Sequence, residues 1–180
     1  MTAPSFISHP AEVVGPRLLG WRVRTRIGGE VTELRLTEVE AYSQDDPASH
    51  SFGGPRGRNR IMYGPPGRLY VYRSYGVHWC ANVVCGPPGV GAAVLMRAGT
   101  PLRGIDAMIA RRGRRDHLAD GPGNLTAALG IDVTHNGTNL FSARSPIRLL
   151  EGQPPNGVEI TRRIGISKAV EVPWRFVARS

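Results

Sequence analysis

Alternating apolar and polar positions predict a β-hairpin near the start of the chain. Between residues 21 and 27, apolar side chains alternate with arginines, the pattern of a half-buried strand whose outer face is basic. Gly28 and Gly29 permit a tight turn, and a second alternating run follows from residue 31 to residue 42. The two runs therefore predict a pair of antiparallel strands.

More strands are predicted along the rest of the chain. Residues 69–85 have the pattern of a second hairpin with Tyr75 near its tip, and the apolar run 92–98 follows a turn rich in glycine and proline. Because successive strands are joined by turns, we expect a mainly antiparallel sheet. Three shorter runs near the C-terminus predict further strands at 147–151, 158–161 and 174–178.

Three short helices are predicted beside these strands. The first begins at Pro10 and is expected to end quickly, because Gly15-Pro16 interrupts a helix. The second opens at Thr100-Pro101 and carries an apolar stripe that includes Leu102 and Met108. The third lies within residues 120–130, where Gly130 provides a C-terminal cap.

Residues 43–67 have no hydrophobic periodicity. They are rich in glycine, proline and arginine. An irregular segment of this length is unusual inside a compact domain, and such segments are functional or disordered.

The predicted elements indicate the fold class. A chain of 180 residues suits one domain with a single core. We expect an α+β fold over residues 1–180, with a curved, mainly antiparallel, open-barrel-like sheet and short helices at its periphery.

The charge balance favours a polyanionic partner. There are 23 basic residues against 14 acidic ones, giving a net charge of +9 and a pI near 10.7. Nucleic acid is the first interpretation and an anionic membrane surface the second, while a solvated basic surface stays open. Only Lys168 among the basic residues is a lysine, so a mechanism that needs a lysine amine has one candidate besides the N-terminus.

Other features narrow the location and cofactor class. No run approaches the ~20 apolar residues of a membrane span, and no secretory signal is visible at the N-terminus, so we expect a cytoplasmic protein. Cys80 and Cys85 are predicted to be buried and reduced. The five histidines have no spacing typical of a zinc site, and we expect neither a metal nor a cofactor.

Two glutamates are the first candidates for chemistry. In an unbroken strand, Glu38, Glu40 and Tyr42 share the face of Leu34 and Leu36. A carboxylate on the apolar face of a sheet is costly unless it is paired or used in acid–base chemistry. The pattern does not choose between Glu38 and Glu40, and a bulge at the strand end or a structural pairing with arginine is an open alternative.

Three other residues stand out by position. Tyr75 lies at a predicted hairpin tip, where its ring is hard to bury in the protein's own core and is suited to insertion into a base stack. The alternative is a tip folded over a neighbouring loop. Asn82 and Arg97 interrupt apolar strands, so each needs a partner in the protein or in a ligand.

Several longer motifs resemble one protein family. The segments EVEAYSQDD, ASHSFGG, RNRIMY and PGRLYVYRSYGVHWCANVV are similar to those of the alkyladenine (3-methyladenine) DNA glycosylases of the mammalian and bacterial type. AAVLMRAGTPLRGIDAM, DGPGNLTAALGI, RIGI and WRFV continue in the same order. The resemblance covers nearly the whole chain after about residue 10, and so many motifs in one order are far more specific than a single short pattern.

The resemblance assigns roles by position. It selects Glu40 rather than Glu38 as the water-activating glutamate and places Arg97 near the catalytic water. It implies that Asn82 crowds the 2-amino group of a purine. The aromatic groups that sandwich a flipped base then correspond to Tyr42, His50 and Tyr72, and the DNA-facing surface contains the wedge Tyr75 with Met62 and His78 nearby.

The implied activity is that of a monofunctional glycosylase. Its expected partner is double-stranded DNA with damaged purines, bound by a monomer without lyase activity, in the cytoplasm and associated with the nucleoid. One departure is Asn124, where the family often has lysine. The alternatives are a non-catalytic, basic nucleic-acid-binding module and an RNA-directed or metal-dependent hydrolase.

Overall fold

An eight-stranded antiparallel sheet forms the centre of the computed structural model, which describes residues 3–179. Its main path has the order β3-β4-β5-β2-β1-β6, and β8 joins β7 to β2. The strands are β1 (Arg22–Ile27), β2 (Glu30–Tyr42), β3 (Leu69–Ser74), β4 (His78–Val84), β5 (Ala93–Arg103), β6 (Ile147–Leu150), β7 (Gly157–Thr161) and β8 (Arg175–Arg179).

Strand β2 organises the sheet because it pairs with three other strands. One edge pairs with β5 along almost its whole length. The other edge pairs first with β1, over Glu30–Arg35, and then with β8, over Glu38–Glu40. The sheet therefore divides beside β2, which curls it into an open half-barrel and confirms the predicted curved, antiparallel sheet.

Short helices cover one face of this sheet. In the described residues they are α1 (Ala11–Leu18), α2 (Ile105–Arg112) and α3 (Pro122–Leu129), accompanied by three 3₁₀ turns. Val14, Met108 and Leu125 from these helices belong to the main hydrophobic core together with sheet residues. The α+β class and the peripheral helices are thus confirmed.

The N-terminal helix is longer than its sequence suggests. Helix α1 continues through Gly15 and Pro16 to Leu18. In a helix of only eight residues, Pro16 removes one backbone donor, a modest cost that burial of the apolar face offsets. A Cβ atom on Gly15 would lie 2.8 Å from the Phe176 ring, so this glycine permits close packing rather than ending the helix.

The predicted helix start at Thr100-Pro101 is wrong. Strand β5 continues to Arg103, with Thr100 opposite Arg35 and Pro101 opposite Leu34 on β2. Pairing with a neighbouring strand outweighs the local signal for a helix start. Helix α2 begins only at Ile105, after Gly104 has turned the chain with a φ of 71°.

The segment 43–67 is ordered by its own polar contacts. It contains the 3₁₀ turn Gly57–Tyr63. The Asn59 amide donates to the His50 carbonyl at 2.6 Å, and the Ser51 hydroxyl donates to the Gly91 carbonyl at 2.9 Å. These bonds hold an irregular segment against the sheet, which supports the functional interpretation of the loop over the disordered one.

Among the helices of the described residues, none is long and apolar enough to cross a membrane.

Candidate active site

A β-bulge decides which way the glutamates of β2 point. The register with β5 shifts between Leu36 and Glu38 and again between Glu38 and Val39. Leu36 and Val39, three positions apart, therefore both reach the main core. Glu38, Glu40 and Tyr42 share the opposite face, so the predicted common face with Leu34 and Leu36 is wrong.

Glu40 is fully buried and accepts hydrogen bonds from three groups. One carboxylate oxygen, Oε1, accepts from the backbone N–H of Ile164 at 2.7 Å. The other, Oε2, accepts from the Tyr42 hydroxyl at 2.8 Å and from the Arg97 guanidinium at 3.3 Å. The carboxylate is therefore held in one orientation, with a cation beside it.

Tyr42 is suited to this contact because its hydroxyl stays protonated. Burial, followed by the charge and hydrogen bond of Glu40, raises the pKa of Tyr42 well above its usual value. The hydroxyl therefore remains a donor to Glu40 throughout the physiological pH range.

Glu38 has a different environment. Its Oε1 accepts from Arg97 at 2.7 Å and from Arg175 at 2.8 Å. Burial alone would raise the pKa of Glu38, but the hydrogen bonds and charges of Arg175 and Arg97 outweigh it and hold the pKa below its usual value. Glu38 is therefore a structural partner of two arginines, the alternative that the sequence left open for it.

A cavity of about 440 Å³ opens beside Arg97 and Tyr42. It lies on the face of the sheet opposite the main core, and its walls come from β2, β3, β4, β5 and the loops after β2 and β7. Glu40 does not itself line the cavity, but it is hydrogen-bonded to Tyr42 and Arg97, which do. Seven of the residues that the sequence analysis assigned to the site line this cavity: Tyr42, His50, Met62, Tyr72, Tyr75, Asn82 and Arg97.

Aromatic rings form one side of the cavity. The His50 ring meets the Tyr72 ring edge-on, with centroids 4.3 Å apart and an angle of 70° between the planes. His50 Nδ1 also lies 3.0 Å from the hydroxyl of Tyr70. Tyr42 lines the same cavity from β2, so the three predicted aromatic groups are brought together.

Tyr70 is a cavity residue that the sequence did not single out. It shares a strand face with Tyr72, and a tyrosine at such a position is more often part of a core. Its ring is almost completely buried, and this burial raises its pKa to about 12. The signal that could have identified it is the alternation of two tyrosines beside the polar Asn82 on the paired strand.

The surroundings of His50 favour its neutral form. The part of its ring that packs against Tyr70 and Tyr72 is withdrawn from water, and Arg58 adds a like charge. Both effects lower the pKa of His50. A neutral imidazole stacks as an aromatic ring and adds no positive charge to the cavity.

Asn82 finds its partner within the protein. The side-chain amide is buried and donates to the Tyr70 carbonyl at 3.1 Å. This bond fixes the orientation of an amide that lines the cavity beside Cys80. Cys80 and Cys85 are both free and buried, as expected.

Tyr75 lies at the exposed tip of the β3–β4 hairpin. Its side chain is 88% exposed, and its φ of 49° lies in the left-handed region that a tyrosine seldom adopts. Gly76 follows with a φ of 67°, so the pair forms the turn that matches the twist of a hairpin. The hydroxyl reaches the Gly165 carbonyl at 3.5 Å, across the mouth of the cavity.

The two other residues predicted for the DNA-facing surface differ. His78 is exposed beside the hairpin tip, and the N-terminal turn of α3 can approach it because Gly123 has no Cβ. Met62 is only 2% exposed and packs with Tyr70 in a small second core. The 3₁₀ turn directs it into the cavity wall, and its contact with DNA stays a prediction.

Arg163 is a further residue that the sequence did not identify. Its side chain is 0% exposed and pairs through both terminal nitrogens with Asp46, itself 2% exposed. The guanidinium also donates to the Ala41 carbonyl at 3.0 Å and lies 4.8 Å from the centre of the Tyr42 ring. The residue after it, Ile164, supplies the N–H on Glu40, so one buried cation connects the elements around the carboxylate.

Neither a metal-binding cluster nor a lysine amine is found at the cavity among the residues that the structure describes. No cluster of three or more His, Cys, Asp or Glu side chains is placed to hold a metal ion within residues 3–179. Lys168 is exposed, and it is not among the residues that line the cavity.

Comparison with known proteins places the chain in a family. The model of a family described as methylpurine-DNA glycosylase matches residues 5–180. A protein of Methanoculleus marisnigri, provisionally named 3-methyladenine DNA glycosylase, is 50% identical over 184 residues, covering 98% of this chain and 94% of the relative. A protein of Rhodopseudomonas palustris strain HaA2 with the same provisional name is 47% identical, covering 95% and 83%.

A third relative with that provisional name, from Nitrosospira multiformis, is 52% identical over 144 residues, covering 79% of this chain and 74% of the relative. The family match spans nearly the whole chain, and the identities are high over most of it. The protein therefore belongs to the methylpurine-DNA glycosylase family.

Proposed function

We propose that the protein is a monofunctional DNA glycosylase that releases alkylated or deaminated purines from duplex DNA in base excision repair. The substrates are 3-methyladenine and 7-methylguanine, with hypoxanthine and ethenoadenine as further candidates. The observation that carries the proposal is the buried, oriented carboxylate of Glu40 behind a cavity lined with aromatic rings. The protein acts as a monomer on double-stranded DNA and is associated with the nucleoid.

Access to the glycosidic bond requires the nucleotide to leave the duplex. Extrusion costs a few kcal/mol, and less for a damaged or mispaired base. Base–aromatic stacking is worth roughly 1–3 kcal/mol per base. Tyr42 on one side and His50 with Tyr72 on the other can therefore offset much of the extrusion cost.

The cavity also favours the charge of an alkylated purine. Purines methylated at N3 or N7 are cationic, and an electron-rich ring attracts a cation over its face. The lowered pKa of His50 removes one positive charge that would oppose this attraction. Asn82 presents its fixed amide to the edge of the base and supplies discrimination between purines.

Glu40 acts as the general base. Ionised, it removes a proton from a water molecule and stabilises the positive charge that develops on the sugar as the bond to the base breaks. Water oxygen joins C1′, and the electron pair of the broken bond leaves with the base. Arg97 holds Glu40 from one side and is placed to contact the same water, while Tyr42 and the Ile164 amide keep the carboxylate aimed.

The tip of the β3–β4 hairpin provides the proposed contacts with the duplex. Tyr75 fills the space that the extruded nucleotide leaves in the stack, and His78 lies beside it on the DNA side. Exposed arginines near the cavity mouth, such as Arg58 and Arg73, contact phosphates and fix the register on the duplex.

Strand cleavage is not part of the proposed reaction. A lyase step needs an amine nucleophile that forms a Schiff base with the sugar. Lys168 does not line the cavity, and it is the only lysine in the chain. Borohydride treatment during turnover is expected to trap no covalent protein–DNA adduct, and a trapped adduct would refute this point.

The main test compares two carboxylates on the same face of β2. In Glu40→Gln, release of free base from a duplex with one hypoxanthine or ethenoadenine should be almost abolished in single-turnover assays, while duplex binding is kept. Glu38→Gln is the matched control, because it changes the same group two positions away and should retain most of the rate. Normal base release by Glu40→Gln would overturn the assignment.

A non-catalytic, basic DNA-binding module is the competing function. It predicts duplex binding by the wild type without release of free base from any methylated or deaminated substrate. The basic composition favours binding in both cases, so base release alone separates them.

A further inference from the structure

A second cavity lies at the other end of β2 and is lined by arginines. Its volume is about 320 Å³, and its walls come from β1, the start of β2 and the segment that leads into β6. No aspartate or glutamate of the described residues lines it. The charged residues that do are Arg24, Arg26, Arg144 and Arg148.

Three of these arginines keep their charge unpaired. Arg24 pairs with Glu33 on the neighbouring strand. Within residues 3–179, the guanidiniums of Arg26, Arg144 and Arg148 donate to no carboxylate or carbonyl group. Arg26 and Arg144 are exposed, so water screens their mutual repulsion, and the cluster leaves a positive potential that attracts an anion.

Arg148 adds an observation independent of the charge count. Its Nε is buried, and no described protein group accepts from it. Arg148 is directly opposite Arg24 in the β1–β6 pairing, so two guanidiniums emerge side by side from adjacent strands. A buried donor without a partner is costly in a protein. The Nε atoms of Arg112 and Arg163 share this state, but only Arg148 lines the arginine cavity, where an oxyanion can accept from it.

The arginine cavity is on the same face of the sheet as the candidate active site. On β1 and β6, the neighbouring residues Val23, Ile147 and Leu149 point into the main core. Arg24 and Arg148 therefore project from the opposite face. The bulge in β2 gives Glu40 and Tyr42 that same direction.

The separation of the two cavities is set by β2. From Val31, which lines the arginine cavity, to Glu40 the strand advances nine positions. At about 3.3 Å per residue this is at most roughly 30 Å. The bulge and the curl of the sheet shorten the direct separation, so a duplex of about nine base pairs, with a rise of about 3.4 Å each, is the longest that would span it.

We propose that the arginine cavity is a second phosphate-binding site, which receives the DNA backbone up to about nine base pairs from the flipped nucleotide. The bound groups are phosphodiester oxygens, which accept from Arg26, Arg144 and Arg148. The site adds affinity and sets the direction of the duplex without taking part in base release. Its occupant rests on the proposed function, since that function supplies the duplex.

The test removes the unpaired charges and measures binding to duplexes of two lengths. The protein variant is Arg26→Gln/Arg144→Gln/Arg148→Gln. The long probe is a 30-base-pair duplex with a tetrahydrofuran abasic-site analogue at its centre, a spacing of roughly 50 Å to each end. The short probe is a hairpin stem with about five base pairs on each side of the analogue, too short to reach the second cavity.

The triple variant should bind the long probe on the order of tenfold more weakly at physiological salt. The slope of log K against log salt should fall by about 2 to 3, one for each lost phosphate contact. Binding to the short probe should be unchanged, and so should the single-turnover rate on a saturating substrate. A control with the same charge change, Arg17→Gln/Arg103→Gln/Arg115→Gln, alters exposed arginines that line neither cavity and should leave the difference between probes intact.

Two results would overturn the proposal. Equal losses on the long and short probes would show a general effect of net charge rather than a remote contact. A loss of binding to a polyglutamate peptide with unchanged binding to the long duplex would assign the cavity to an acidic protein partner. If no base is released by the wild type but the length-dependent loss is observed, the glycosylase proposal fails and the second DNA site stands.

Discussion

The two cavities on the face of the sheet differ in how they use arginine. Around the candidate active site each buried guanidinium is matched with a carboxylate: Arg97 with Glu38 and Glu40, and Arg163 with Asp46. In the arginine cavity, Arg26, Arg144 and Arg148 have no such partner among the described residues. Paired arginines fix the geometry of other groups, whereas unpaired ones keep their charge for a ligand.

Aromatic content separates the cavities as well. Tyr42, His50 and Tyr72 line the first cavity, and no aromatic ring of the described residues lines the second. Rings bind a base by stacking, while guanidiniums bind the phosphates between bases. One cavity is therefore suited to a nucleobase and the other to a backbone, although both belong to one basic protein.

Apart from the loss of Glu40 itself, the largest expected effect is at the buried pair Arg163–Asp46. In Arg163→Gln the Asp46 carboxylate is left buried without its cation, which should lower the free energy of unfolding by about 3–5 kcal/mol. The single-turnover rate should fall about 100-fold, because Tyr42 and the Ile164 amide lose the group that holds them. Urea denaturation and base-release assays measure the two effects separately.

The double variant Asp46→Asn/Arg163→Gln separates the role of Arg163 in positioning the groups around Glu40 from its role in stabilising the fold. It should recover much of the unfolding free energy, since no unpaired charge remains. Its rate should stay at least about tenfold low, because a shorter side chain does not reach Ala41, Asp46 and Tyr42 together. Duplex affinity should be unchanged, and a wild-type rate in the folded double variant would contradict a positioning role.

The next effect concerns the hydroxyl on Glu40. Tyr42→Phe keeps the ring in the cavity but removes the donor to Oε2, and a hydrogen bond to a charged group is worth about 1.5–3 kcal/mol. The rate of base release should fall about 10- to 100-fold. Tyr72→Phe is the matched control, because it removes a hydroxyl from the same cavity without touching Glu40, and similar losses in both variants would argue against this contact.

A smaller effect is expected at the hairpin tip. Tyr75→Ser removes the ring that is proposed to occupy the emptied stack, a loss of roughly 1–3 kcal/mol of stacking. Base release at subsaturating enzyme should fall about tenfold from this loss. Val77→Ser serves as the control, because Val77 is 66% exposed in the same turn and does not line the cavity. Unchanged activity of Tyr75→Ser on duplex substrate would count against the wedge.

The smallest effect is a pH dependence of stability at His50. Its folded-state pKa lies below the ordinary value of 6.5, so the unfolded chain binds the proton first as the pH falls. The contribution of His50 to the free energy of unfolding is therefore fully present above pH 6.5, and it declines as the pH falls from 6.5 towards the folded-state pKa. Denaturation at pH 8 and pH 5.5 should show a larger decline for wild type than for His50→Phe, and equal declines would reject the lowered pKa.

Local sequence patterns predicted the parts of the fold that depend on neighbouring residues. The hairpin turns at Gly28-Gly29 and at Tyr75-Gly76 were expected from their position between alternating runs, and both are present. The cap of α3 at Gly130 is another such case. In each, the signal is a backbone conformation that a few adjacent residues impose.

The predictions that failed depend on distant contacts. Thr100-Pro101 has the pattern of a helix start, but it pairs with Arg35 and Leu34, far away in the chain. Gly15 is a helix breaker by propensity, yet Phe176 packs against it from the C-terminal strand.

By itself, the sequence determined a basic α+β protein with antiparallel strands and an exposed aromatic hairpin tip, and its motif series implied Glu40 rather than Glu38 as the base. Only the tertiary structure gave the two carboxylates different surroundings and separated the paired arginines from the unpaired ones. The physical reason is that alternation along a strand specifies which face of the sheet each side chain occupies, while a bulge, as in β2, exchanges the faces. Ion pairs, moreover, join residues that are more than 100 positions apart, as Arg163 and Asp46 are.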